Sequence, residues 1–174
     1  MTEPRDPEAP ASHEYSVRVL VVEDGQEYTR NLGRFLASSF LLQRAGSGRE
    51  ALDAVEQQAF DVVFLDMRFD RVPPASLLGD LDSVADRFNG DLERALRFLE
   101  DNQGAYVLAA LRDAGCSLPV VFSHDFIDEP RRWTHLAARY APLDYLPDNA
   151  GPAEVSERLT AWARGTGPDR PSVR

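Results

Sequence analysis

Apolar residues along this chain change period repeatedly, and each change marks an element. Val17-Arg-Val-Leu-Val-Val22 is a nearly continuous β-branched run, the pattern of a strand buried on both faces. Tyr28, Leu32, Phe35 and Leu36 then recur at helical spacing. A short apolar run, Phe40–Leu42, leads to Ala45, and Ser47-Gly-Arg-Glu50 has the form of a capping box opening a helix over Ala51–Gln57. Asp61-Val-Val-Phe-Leu-Asp66 is another buried strand and ends in a carboxylate. Farther on, the pattern predicts a helix over Ala105–Asp113 stopped at Gly115, a strand over Pro119–Ser123, a helix over Glu129–Tyr140 and a short strand over Leu143–Leu146. Pro152 suits the first position of a last helix, whose inward stripe is Val155, Leu159 and Trp162. Five strands alternating with five helices imply an α/β fold: a doubly wound, five-stranded parallel sheet with its strand C-termini along one edge.

One segment breaks the alternation. Asp70–Gln103, 34 residues between the third strand and the third helix, is too long for a structureless loop in a compact domain. Phe88, Leu92, Ala95, Leu96 and Leu99 give it one apolar helical stripe, with Asp91 and Glu93 near the start where the helix dipole favours acids. An inserted helix is expected, preceded by a shorter one around Leu81–Phe88, forming either a lid packed on its own domain or a partner-docking surface. Proline-rich, polar tails at 1–15 and 165–174 are expected to be disordered, leaving one domain over 16–164 with the insertion at 70–103.

Charge and composition narrow the chemistry. The chain has 29 acidic and 19 basic residues, a net charge of −10, and every basic residue is arginine. Without lysine there is no Schiff base, no P-loop lysine and no lysine clamp on a phosphoryl group. The negative charge argues against a nucleic-acid or membrane partner and permits a basic protein or a metal cation. Cys116 stands alone, so no internal disulfide is expected, and with no membrane-length apolar run the protein is expected in the cytoplasm. His13 and His135 have no partner at ligand spacing, which leaves no zinc site.

Carboxylates carry the chemistry that remains. Glu23 and Asp24 follow the first strand, Asp66 ends the third, and this winding brings the three together. Clustered carboxylates repel and need a cation, for which magnesium with its preference for oxygen ligands is suited. Asp66 could then attack phosphorus as a nucleophile. A dinucleotide-binding reading fails because Glu23-Asp24-Gly25 stands where a glycine-rich loop belongs.

These motifs, in this order, resemble the receiver domains of two-component response regulators. VRVLVVED is similar to the family's first strand with its acidic pair, VVFLDM to its phosphoacceptor strand, PVVFS to its fourth strand and LDYL to its fifth. The resemblance covers about 17–164 without the insertion and implies the flavodoxin-like receiver fold with strand order 2-1-3-4-5. It implies Asp66 as phosphoacceptor, and magnesium handled by Glu23, Asp24, Asp66 and the backbone carbonyl of Arg68. Ser123 and Tyr145 become the switch residues.

Partners implied are a histidine kinase or phosphotransfer protein and a downstream protein target, with dimerisation through 129–164. The chain is expected to be a single-domain signalling protein rather than an enzyme. Aspartyl phosphotransferases and phosphatases commonly need a second acid two residues past the nucleophile, and here that residue is Arg68.

Three positions depart from the family pattern. Where the family has lysine then proline after the fifth strand, this chain has Asp148 and Asn149, so a cation becomes an anion and a cis-proline turn is lost. Beside Ser123, a usually small residue is His124, which either fills the phosphate pocket or donates to it. Arg132 is a candidate replacement cation. Two expectations stay open: a receiver phosphorylated weakly at Asp66, or a phosphorylation-independent adaptor.

Overall fold

The protein, described here from a computed structural model over residues 16–36 and 39–167, is a three-layer α/β structure. Five strands, β1 (Val17–Val22), β2 (Phe40–Ala45), β3 (Val62–Asp66), β4 (Val120–Ser123) and β5 (Leu143–Leu146), form one parallel sheet in the order β2-β1-β3-β4-β5. The expected winding and strand order are therefore present. Around the sheet lie α1 (Glu27–Leu36), α2 (Gly48–Gln57), α5 (Gln103–Asp113), α6 (Pro130–Tyr140) and α7 (Pro152–Ala163). Two further helices, α3 (Leu81–Asp86) and α4 (Leu92–Asp101), make up the expected helical insertion, after a short 3-10 turn at Pro74–Ser76.

Alternation along each strand divides the core in two. Val17, Val19 and Val21 of β1 join Val62 and Phe64 of β3, Val121 of β4, and Leu32, Val155 and Leu159 from α1 and α7. Leu20, Val22, Val63, Leu65, Val120 and Phe122 face the opposite way, toward α2, α5 and α6. Two positions leave their expected stripes. Phe35 on α1 is 61% exposed and Leu92 on α4 is 54% exposed. Phe98, half-buried against the core, occupies the face of α4 that Leu92 does not.

The insertion packs on its own domain. Leu77, Val84, Ala85, Ala95 and Leu99 are buried in the same apolar cluster as β3, β4 and α5. Gln103, fully buried, clamps it: Leu78 N–H donates to Gln103 Oε1 (2.6 Å), while Gln103 Nε2 donates to the carbonyls of Leu78 (3.0 Å) and Leu99 (3.4 Å). Asn89 and Gly90, both at positive φ, turn the chain between α3 and α4, where Gly90 N–H closes back on the Ala85 carbonyl at 2.9 Å. At Asn102 the chain breaks only briefly between α4 and α5. Helix α5 thus starts two residues before the predicted Ala105.

Local chemistry explains the remaining element ends. At α2 the Glu50 N–H donates to Ser47 Oγ (3.2 Å) and Glu50 Oε2 accepts from Gly46 N–H (2.8 Å), a capping box shifted back by one residue. Asp144 on β5, buried, accepts from Arg158 (2.8 Å) and from Trp162 Nε1 (2.7 Å) and so fastens α7 to the sheet. The expected tail at 1–15, with His13, and residues 168–174 lie outside the described residues. Gly165–Gly167 are described, and Thr166 N–H donates to the Ala161 carbonyl (2.8 Å) at the end of α7.

Candidate functional site

Strand register brings the predicted residues together at the C-terminal edge of the sheet. Asp66 ends β3 directly beside Ser123, which ends β4 and is buried. The Asp66 carboxyl is pushed up from 3.8 to about 6, first by burial and further by the charges of Asp24 and Glu23, against the pull of the Arg68 and Met67 N–H groups. Closely packed backbone sets its position. Gly104, at the start of α5, lies so near that a Cβ there would stand 2.4 Å from the Asp66 carbonyl oxygen. Its N–H donates to the Met67 carbonyl at 2.9 Å, so the insertion's exit rests on the segment following Asp66.

The acidic pair does two different jobs. Glu23 is only 1% exposed, and its two oxygens accept the N–H groups of Tyr28 (2.9 Å) and Thr29 (2.7 Å) in the first turn of α1. Glu23 thus caps the first turn of α1, and its charge reaches Asp66. Asp24 Oδ2 accepts the N–H of Arg71 (2.6 Å), a residue just inside the insertion. Among the described residues no three His, Cys, Asp or Glu side chains form a group able to hold a metal ion. Two carboxylates suffice for a magnesium ion that keeps most of its waters, and the mutual repulsion acting on Asp66 is what a cation relieves. Asp24 and Asp66 therefore fit such an ion, with the buried charge of Glu23 beside them.

Tyr28 is the site residue that sequence reading missed. Its spacing marks it as core, and its ring does pack edge-on against Phe64 with centroids 5.3 Å apart. Its hydroxyl, however, shares a hydrogen bond with Ser123 and feels the charges of Asp66, Asp148 and Glu23. Burial first, then those charges, push the Tyr28 hydroxyl above its ordinary 10.0, so it stays protonated.

At the altered positions the structure is more specific than the sequence. Asp148 and Asn149 are exposed in the turn after β5, and Asp148 adds its negative charge to Tyr28. The cis peptide bond among the described residues is Ala141–Pro142, at the other end of β5. His124 is held by Glu129 and Phe126. Its Nε2 pairs with Glu129 Oε1 at 2.9 Å and its ring stands edge-on to Phe126, centroids 4.7 Å apart.

Glu129 also takes Arg132: Nη1 lies 2.8 Å from Oε2, and Nη2 reaches Asn102 Oδ1 (2.8 Å) and Met67 Sδ (3.2 Å). Arg132 first, then His124, hold the Glu129 carboxyl below its ordinary range. Tyr145, half-buried, packs on Trp133 (4.8 Å) and Phe126 (5.4 Å), joining β5 to α6. Arg68 is exposed and pairs with Asp70 and Asp101.

Solved structures share this fold. The chain is similar to the Francisella response regulator 1452 receiver domain: 16% identity, TM-score 0.58, covering 87% of this chain and 99% of that one. It is also similar to the receiver domain of the response regulator NarL from Mycobacterium tuberculosis, at 21% identity, TM-score 0.56, and 86% and 98% coverage. A third, described as an adenylate cyclase from Rhodopirellula baltica, aligns at 16% identity with TM-score 0.61 over 87% and 90% of the two chains. No family model matches the chain. No curated protein matches it either. The fold is that of response-regulator receiver domains, and the site lies where such α/β sheets bind their ligands.

Proposed function

We propose that this protein is an atypical phosphorelay receiver in which Asp66 accepts a phosphoryl group weakly and signals through protein contacts. The observation that carries this reading is the placing of Asp66: half-buried at a strand end, beside the Ser123 hydroxyl and within reach of the charges of Asp24 and Glu23. An Asp66 oxygen attacks phosphorus, a P–O or P–N bond to the donor breaks, and the leaving group keeps that electron pair. Asp24 and Asp66 would hold magnesium with the Arg68 carbonyl and water. The ion would screen the negative charge between donor and carboxylate.

Two features support weak phosphorylation. The ionised Asp66 nucleophile is disfavoured by its surroundings, and the Ser123 hydroxyl that would receive a phosphoryl oxygen is already engaged by Tyr28. That engagement favours a second reading, a phosphorylation-independent adaptor of the same fold. The protein partners are a histidine kinase or phosphotransfer protein upstream and a protein target downstream, in the cytoplasm. Among the described residues no helix is long and apolar enough to cross a membrane.

Incubation with acetyl phosphate and magnesium, followed by intact-mass measurement, separates the two readings. One added phosphoryl group on wild type, absent from Asp66→Asn and slow to accumulate, is the expected result. No Asp66-dependent mass gain, with the fold intact, establishes the adaptor.

A further inference from the structure

Phosphorylation would replace the Asp66 carboxylate charge by a phosphoryl group of roughly −1.5 to −2, in a site that also holds Asp24, Asp148 and the buried Glu23. Among the described residues no cationic side chain forms an ion pair or hydrogen bond with Asp66. Of the cations on neighbouring elements, Arg44 is held by the carbonyls of Asp24 and Gly25. Arg68 projects outward to Asp70 and Asp101, and Arg71 is taken by Glu27. Arg132 differs: its guanidinium is half-buried, touches Met67, the residue directly after Asp66, and lies over the Phe126 ring at 5.7 Å.

We propose that Arg132 is the phosphoryl-binding cation of this site, parked on Glu129 until a phosphoryl group appears on Asp66. The resting latch is complete. Glu129 uses one oxygen for Arg132 and the other for His124, and Asn102 accepts the remaining guanidinium bond. Each partner is replaceable when a stronger anion arises nearby. A doubly charged phosphoryl group offers three acceptor oxygens, against one carboxylate and one neutral amide, and a guanidinium fork suits it.

Moving Arg132 to Asp66 releases its bond to Asn102, between α4 and α5, and its bond to Glu129, at the start of α6. The swap therefore couples the phosphoryl group to the insertion and to the aromatic face of α6. This rests on Asp66 being the phosphoacceptor, and the test separates the two.

Beryllium trifluoride with magnesium serves as the phosphoryl mimic, titrated calorimetrically into the full chain. Wild type is expected to bind it and Asp66→Asn not to. Arg132→Gln should weaken binding about ten- to a hundredfold, the worth of one charged hydrogen-bonding pair, and Arg132→Lys should restore part of it. Glu129→Gln, which keeps the arginine and removes its resting partner, should tighten binding severalfold. Mere loosening of α6 would weaken both variants, so opposite signs are the signature. Asp66-dependent binding left unchanged by Arg132→Gln, or weakened by Glu129→Gln, overturns the role of Arg132 alone. Absence of Asp66-dependent binding in wild type overturns the phosphoacceptor reading and this one with it.

Discussion

Replacing Asp66 with Asn should stabilise the protein, by an amount set by pH. The Asp66 carboxyl is raised from 3.8 to about 6, chiefly by burial and then by Asp24 and Glu23. Between those values the folded protein holds a proton that the unfolded chain has released. The stability this proton confers is complete below about pH 4 and lost as pH rises through about 6. At about 1.36 kcal/mol per pH unit, the ceiling on that loss is about 3 kcal/mol. Asp66 keeps part of its surface in water, so about half, ~1.5 kcal/mol, is the expected effect.

Asparagine carries no charge at any pH. Urea unfolding of both proteins with chelator present should therefore give nearly equal stabilities at about pH 3, with Asp66→Asn ahead by about 1.5 kcal/mol at pH 8. Magnesium should narrow the gap at pH 8, because a cation compensates the same repulsion. A gap that does not change with pH, or a less stable Asp66→Asn at pH 8, refutes the reasoning.

Other perturbations test the framework around the site. Asp144→Asn strips the charge from the buried acceptor of Arg158 and Trp162 and should cost about 2 kcal/mol by urea unfolding, with altered Trp162 emission. Gln103→Leu leaves the Leu78 N–H without its acceptor and should cost about 2 kcal/mol, with faster hydrogen exchange at Leu78 and earlier proteolysis within 70–90. Gly104→Ala forces a Cβ to 2.4 Å from the Asp66 carbonyl oxygen and should cost about 1–3 kcal/mol. It should also abolish what Asp66 phosphorylation the wild type shows in the intact-mass assay.

The fold was legible because its information is local and periodic. β-branched runs, a capping box and the Pro152 start each specify one element, and alternation within the strands divides the two cores. Phe35 and Leu92 escaped because spacing says which residues share a face without saying how far the covering layer extends. Asp66 and Ser123 were legible as strand ends, where register needs nothing but equal progress along parallel strands. The cap that Glu23 places on α1 was not legible, because a carboxylate after a strand serves a metal or a helix end equally well and only the positions of the Tyr28 and Thr29 N–H groups reveal the cap. Tyr28 and the Glu129 pairings were hidden for a similar reason. Side-chain reach across elements leaves no period in a sequence. Gln103 and Asp144 carry no motif either; each is a polar group whose burial is tolerable only because distant partners meet it.

The insertion shares one apolar cluster with β3, β4 and α5, and this makes the 34 residues inseparable from the rest. Excising them to recover a minimal sheet-and-helix unit would strip Val107, Leu108 and Met67 of neighbours. A change at one of its inward-facing residues is thereby a change in the cluster that backs β3. For a protein engineer, the segment is a poor place for a tag or a graft. Its inward-packing residues belong to the same apolar cluster as the strands that end at Asp66 and Ser123.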